Sequence, residues 1–168
     1  MNEKESRFLE MVGECKGMIL QVCSLYARSR EETRDLYQDI LLQAWRAFDT
    51  YRGEAKRSTW LYRIALNTAI MNFRKVARSR VESSPKTDLS NQPDPDPPDR
   101  SDDFALLHGT IRQLPEIDRA IILLYLEELP HEEIAGIIGI TVNNLNVRIV
   151  RIKSKLKKLL EKQGYSID

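Results

Sequence analysis

His131-Glu-Glu-Ile-Ala-Gly-Ile-Ile-Gly-Ile-Thr-Val-Asn-Asn-Leu145 is the stretch whose reading decides the fold. Ile134 and Ile138 fall one turn apart on a first helix, and Ala135 is small enough for a second helix to cross closely over it. Gly139 supplies the turn, and Thr141 is placed to cap the second helix. On that helix Leu145, Ile149, Ile152 and Leu156 recur at alternating steps of four and three, which makes one buried stripe. Off the stripe stand Asn143, Asn144, Asn146, Arg148, Arg151, Lys153 and Lys155, amide and cationic groups suited to base edges and phosphates. The pattern predicts a helix-turn-helix that touches DNA. The alternative is a small bundle whose last helix carries lysines only for solvation. Charge argues against it: from Leu145 to Lys162 the cations Arg148, Arg151, Lys153, Lys155, Lys157, Lys158 and Lys162 face only Glu161, whereas a merely solvated helix would mix the signs.

The chain has 168 residues, 42% of them hydrophobic, enough for one large or two small compact domains. No apolar run approaches the roughly 20 residues that span a bilayer, and the polar start Met1-Asn-Glu-Lys-Glu-Ser is unlike a signal peptide, so a soluble, cytoplasmic protein is expected. Cys15 and Cys23, eight apart, are expected as buried or free thiols rather than a disulfide. His108 and His131 lack ligand spacing to each other or to the cysteines, so no metal site and no cofactor is expected.

A net charge of +1 conceals a pattern. From Ser79 to Asp103 three cations meet seven acids, a net of −4, which leaves +5 for the rest of the chain. The same segment holds Pro85, Pro93, Pro95, Pro97 and Pro98 and almost nothing apolar, which predicts a flexible linker over residues 79–103. Two helical domains are therefore expected, 1–78 and 104–168, in an all-α fold without strands. In the first, Phe8, Met11, Val12 and Cys15 begin a stripe continued by Met18, Ile19, Val22 and Tyr26. A second helix is expected from Glu31 to Phe48, with Leu36, Ile40, Leu41, Ala44, Trp45 and Phe48 on one side and Asp35, Gln38, Asp39 and Gln43 exposed. A loop follows, and then a helix from Trp60 to Lys75 capped by Ser58 or Thr59, with Trp60 read as core. In the second domain, residues 104–113 read as helical, and Pro115 and Pro130, each followed by acids, restart helices.

The two halves together are more specific than either. Asp35-Leu-Tyr-Gln-Asp-Ile-Leu-Leu-Gln-Ala-Trp45, Tyr51-Arg-Gly-Glu54, Ser58-Thr-Trp-Leu-Tyr-Arg-Ile-Ala-Leu-Asn67, Leu114-Pro115, His131-Glu-Glu-Ile-Ala135 and Gly139-Ile-Thr141 occur in this order across nearly all of both domains. In this they resemble bacterial RNA polymerase sigma factors of the sigma-70 family, extracytoplasmic-function type. The resemblance implies a region-two-like domain that binds core RNA polymerase and melts the −10 element, and a region-four-like domain that binds the −35 element. Asp35, Gln38, Asp39 and Leu42 would then face the polymerase. Tyr51, Arg52, Lys56, Arg57, Arg63 and Asn67 would meet the −10 strand, since melted DNA wants cations for phosphates and a pocket for an unstacked base. Asn143, Asn144, Asn146, Val147, Arg148, Arg151 and Lys155 would meet the −35 duplex. Family members often carry Lys or Arg and then Ser where this chain has Asn146 and Val147, and Pro130 replaces their usual Ser or Thr cap. Asparagine favours adenine. Core polymerase and promoter DNA are the implied partners, with an anti-sigma factor as a further candidate.

Two rival functions stay open at this level. A free-standing regulator with a region-four-like output domain explains only the C-terminal half, and residues 1–78 show no strand alternation or acidic phosphoacceptor pocket. A nucleic-acid enzyme would need a Gly-rich phosphate loop, a metal cluster or a nucleophile and base, and none is apparent; the chain is expected not to be an enzyme.

Overall fold

The computed structural model describes residues 1–82 and 102–166, and the chain divides into two compact units, Met1–Asp94 and Pro95–Asp168. Every regular element among the described residues is helical. Most of the expected linker, residues 83–101, lies outside them.

In the N-terminal unit, α1 (Glu3–Glu14) starts at a capping box: Asn2 Oδ1 accepts from the Glu5 N–H at 2.8 Å, and the Glu5 carboxylate accepts from the Asn2 N–H at 3.2 Å. The single stripe expected from Phe8 to Tyr26 is broken at Cys15 (φ −105°, ψ 10°), whose N–H is shared between the Met11 and Val12 carbonyls. Gly13 and Gly17 flank the break, and poor helix formers lower the cost of bending there. α2 (Lys16–Tyr26) then buries Ile19, Val22 and Cys23 completely. α3 spans Arg30–Ala47, capped by Ser29, whose Oγ accepts from the Glu32 N–H at 3.1 Å; Phe48 falls in the short 3-10 turn that follows it, Phe48–Thr50.

α4 (Arg57–Glu82) begins before Ser58 and Thr59, so neither caps it: the Trp60 N–H already bonds the Lys56 carbonyl at 3.0 Å. The helix also runs past residue 78 to Glu82. α2, α3 and α4 pack together around Ile19, Ile40, Ala44, Leu61, Ala65 and Ala69, all fully buried. Each buried Ile or Leu there contributes roughly 1.5–3 kcal/mol, while the alanines let the helix axes approach. Phe8, Trp45 and Phe48 close one end edge to face, with centroids 5.1 and 5.3 Å from Phe8. Both cysteines are buried and free, and burial pushes the Cys23 thiol up to about 12.

The C-terminal unit comprises α5 (Asp102–Ile111), α6 (Glu116–Leu126), α7 (His131–Ile138) and α8 (Val142–Lys162). α5 starts two residues ahead of its expected Phe104, with Asp102 and Asp103 in the first turn, where acids favour the positive end of the helix dipole. Pro115 and Pro130 occupy the N-cap positions of α6 and α7, and neither makes a side-chain cap bond. Gly139 takes the left-handed conformation, φ +84°, that the turn requires. Its N–H and that of Ile140 both bond the Ala135 carbonyl, at 2.8 and 3.1 Å, which ends α7 and turns the chain into α8. Leu114, Ile121, Leu124, Ile134 and Leu145 form the fully buried centre. Arg119, the one buried arginine among the described residues, donates from Nε to the Leu114 carbonyl at 2.8 Å.

Candidate functional site

The helix-turn-helix is built from the cap outward. Thr141 Oγ1 accepts from the Asn144 N–H at 3.2 Å, which fixes the start of α8. Leu145, Ile149, Ile152, Leu156 and Leu160 are buried beneath α8, so its opposite face must look away from the unit. Asn143, Asn144, Arg151 and Lys155 are exposed on that side, together with Val147 at 50% and Val150 at 68%. Two residues expected to read DNA are committed elsewhere. Arg148 Nη2 bonds Asp118 Oδ1 on α6 at 3.1 Å, and Asn146 Oδ1 meets His131 Nδ1 on α7 at 2.7 Å. Lys153 bonds the Tyr125 hydroxyl and lies 4.3 Å from its ring centroid. Val150 was missed in the sequence, although its spacing of three from Val147 was available as a signal.

The loop between the 3-10 turn and α4 is closed on itself. The Tyr51 hydroxyl donates to the Ala55 carbonyl at 2.8 Å, and its ring lies against Trp60 with centroids 5.1 Å apart. Gly53 takes φ +77°, where a side chain would strain the loop. Trp60, expected in the core, is half-buried beside Tyr51 and Phe48. Arg57 is drawn back to α1, 3.1 Å from Glu14 and 3.7 Å from Glu10, and the Glu14 hydrogen bond and charge push its guanidinium further up. Between loop and helix lies a depression of about 670 Å³ lined by Glu14, Cys15, Tyr51, Glu54, Lys56 and Arg57 among others. Burial, then the Glu14 charge, raises the Cys15 thiol there. Arg52 and Lys56 are exposed on the loop, and Arg63 and Asn67 are exposed one turn apart on α4. That outward stripe continues beyond Asn67 through Met71, Arg74, Lys75 and Arg78, all exposed, at a spacing of three and four that the sequence also carried.

On α3, Asp35, Gln38, Asp39 and Leu42 share one exposed face. Leu42, 45% exposed, sits among polar neighbours, the composition of an interface centre with a polar rim. Asp39 is not isolated: its Oδ2 accepts from Asn72 Nδ2 on α4 at 3.0 Å. Among the described residues no cluster of His, Cys, Asp and Glu could hold a metal ion, and no helix is long and apolar enough to cross a membrane.

The sigma-70 region 2 family matches residues 11–79, and the sigma-70 region 4 family matches residues 104–156. The chain is 32% identical over 159 residues to the RNA polymerase sigma-H factor of Pseudomonas aeruginosa, covering 85% of this chain and 80% of that protein. It is 33% identical over 152 residues to the ECF RNA polymerase sigma-E factor of Escherichia coli, covering 81% and 78%. The chain is a sigma-70 family sigma factor of the extracytoplasmic-function type. Solved sigma-factor folds agree: the RpoE chain of the complex with the anti-sigma factor NepR from Bartonella quintana superposes with a TM-score of 0.75 at 21% identity, covering 92% of this chain and 97% of that one. CnrH, solved with the cytosolic domain of CnrY, gives 0.68 at 23% identity over 94% and 90%. As a sigma factor the chain binds core RNA polymerase and directs promoter-specific transcription initiation through −10 and −35 elements. The helix-turn-helix thus belongs to its region 4, and α3, the loop over residues 51–56 and the first part of α4 to its region 2.

Proposed function

We propose a residue-level division of labour in this sigma factor. Asp35, Gln38, Asp39 and Leu42 dock region 2 on the polymerase, the loop cations Arg52 and Lys56 with the depression beside Tyr51 hold the melted −10 strand, and Arg63 and Asn67 continue that contact along α4. Arg57 supports the loop through Glu14 as well as adding charge. In region 4, Asn143, Asn144, Val147, Arg151 and Lys155 meet the −35 duplex, joined by Val150, while Arg148 acts partly through Asp118 and Asn146 through His131. One observation carries this reading: two valines stand exposed at the centre of the outward face of α8, flanked by amides and cations. Exposed β-branched residues are out of place on a solvated helix but suit the apolar contact with thymine methyl groups in a major groove.

Residues 1–78 and 104–168 are taken as the two working domains and the acidic, proline-rich segment between them as the tether, on composition alone. The chemistry of RNA synthesis belongs to the polymerase, so this chain is an initiation factor without an active site of its own, and it works in the cytoplasm beside its polymerase. The two solved relatives bound by NepR and by CnrY support an anti-sigma factor as a further partner.

The test is site-specific crosslinking. Promoters are first identified by sequencing run-off transcripts made from genomic DNA by core polymerase carrying this chain. Photoreactive residues are then placed at Leu42, Lys56 and Val150. The expected crosslinks are to a polymerase subunit, to the non-template strand of the −10 element, and to the −35 duplex, respectively. A Val150 crosslink outside the −35 element, or a Leu42 crosslink to DNA, would overturn the corresponding assignment.

A further inference from the structure

His131 and Asn146 join the two helices of the helix-turn-helix through their side chains, Nδ1 to Oδ1 at 2.7 Å. His131 opens α7, and Asn146 lies in the second turn of α8. The imidazole is itself supported, its ring packing on that of Tyr125 in α6 at 6.2 Å between centroids. Tyr125 in turn holds Lys153, which stands two turns along from Asn146 on the same flank of α8. One flank of the recognition helix is therefore set by side chains of the two helices behind it.

An unheld asparagine can rotate its amide by half a turn, which interchanges donor and acceptor at almost no cost, so it discriminates bases poorly until something fixes it. An amide oxygen can only accept, so the Nδ1···Oδ1 contact requires the tautomer with a proton on Nδ1; Oδ1 is then committed, and the Nδ2 amine is the group left for DNA. We propose that His131 is a positioning residue for promoter recognition, locking the amide of Asn146 so that it presents a donor to the −35 major groove. The base contacted then carries an acceptor at that point, such as guanine O6 or N7, adenine N7 or thymine O4, and not the cytosine N4 donor. The bidentate adenine contact expected of a free asparagine gives way to a single-donor contact chosen by a residue that never touches DNA. This inference rests on the assignment of α8 as the −35 reader.

Core polymerase carrying the full chain is used to transcribe a library randomised across the −35 element, and transcript sequencing gives the base preference at every position for wild type, Asn146→Ala, His131→Phe and His131→Gln. Asn146→Ala should flatten one position. His131→Phe keeps a ring against Tyr125 but has no donor, and it should flatten that same position by about tenfold in the ratio of best to worst base, leaving the others unchanged. His131→Gln, whose amide can donate to Oδ1, should recover part of the preference. If Asn146→Ala flattens nothing, the assignment of Asn146 as a base reader fails, and the inference with it. If Asn146→Ala flattens a position that His131→Phe leaves intact, or His131→Phe lowers transcription evenly at all positions, the positioning role alone is overturned.

Discussion

Reversal of one charge on α3 separates docking from folding. Asp39 is exposed, and its side chain accepts a 3.0 Å hydrogen bond from Asn72. Asp39→Arg loses that bond, and an exposed hydrogen bond contributes at most about 1 kcal/mol net. On a domain of this size that shifts Tm by no more than about 4–8 °C. At a docked interface the same reversal removes a complementary contact and adds like-charge repulsion, about 2–5 kcal/mol, which is roughly 30- to 4,000-fold in affinity at 1.4 kcal/mol per tenfold. The two effects differ enough to be read apart. Fluorescence anisotropy of labelled chain titrated with core polymerase gives the affinity, and differential scanning calorimetry gives the stability. Asn72→Ala is the control, because it removes the same α3–α4 bond without touching the charge. The expected result is lost core binding for Asp39→Arg, near-normal binding for Asn72→Ala, and similar small falls in Tm for both. Wild-type affinity in Asp39→Arg would misplace the docking face, and equal loss of binding in Asn72→Ala would mean that Asp39 acts only by fixing α3 against α4.

Arg148→Ala should lower the melting temperature of the C-terminal unit slightly, because its pair with Asp118 is partly exposed and contributes under about 1 kcal/mol; Arg151→Ala should weaken −35 binding at unchanged Tm, and the reverse pattern in a binding and melting comparison would refute the split. Gly139→Ala should destabilise the C-terminal unit by about 1–2 kcal/mol, since the space around it is open and only the left-handed φ of +84° opposes a Cβ; chemical denaturation that detects no change would show that the turn relaxes. Cys23 in the folded chain holds its proton up to about 12, against 9.0 for an ordinary thiol, because burial penalises the thiolate. The unfolded chain therefore loses that proton first, and the stability this residue contributes is complete below pH 9 and falls as pH rises toward 12. The raised Cys15 and Tyr37 add to the same slope. Cys23→Ala should flatten the alkaline part of a stability-versus-pH curve, and an unchanged slope would place the titrating group elsewhere.

How much was legible in the sequence follows from the range of the interactions involved. Periodicity and turn chemistry are local, so the helix-turn-helix, the Thr141 cap, the left-handed Gly139 and the buried stripe from Leu145 to Leu156 could all be read from neighbours within a few residues of one another. So could the all-α class and, through the ordered motifs of both halves, the sigma-70 family. Where elements end was less legible. The apolar stripe from Phe8 to Tyr26 reads as continuous because its period persists across Cys15, although the backbone there leaves the helical conformation. Ser58 and Thr59 are chemically good caps, yet the Lys56 carbonyl already serves the first turn of α4. The candidate site divides in the same way. Residue type and spacing put Asn146, Arg148, Arg57 and Asp39 on outward faces, but their partners lie 15, 30, 43 and 33 residues away, at His131, Asp118, Glu14 and Asn72. Side chains so distant in sequence meet only after the helices pack, and packing is what turned several free polar groups into held ones, while leaving Val150 and Leu42 exposed.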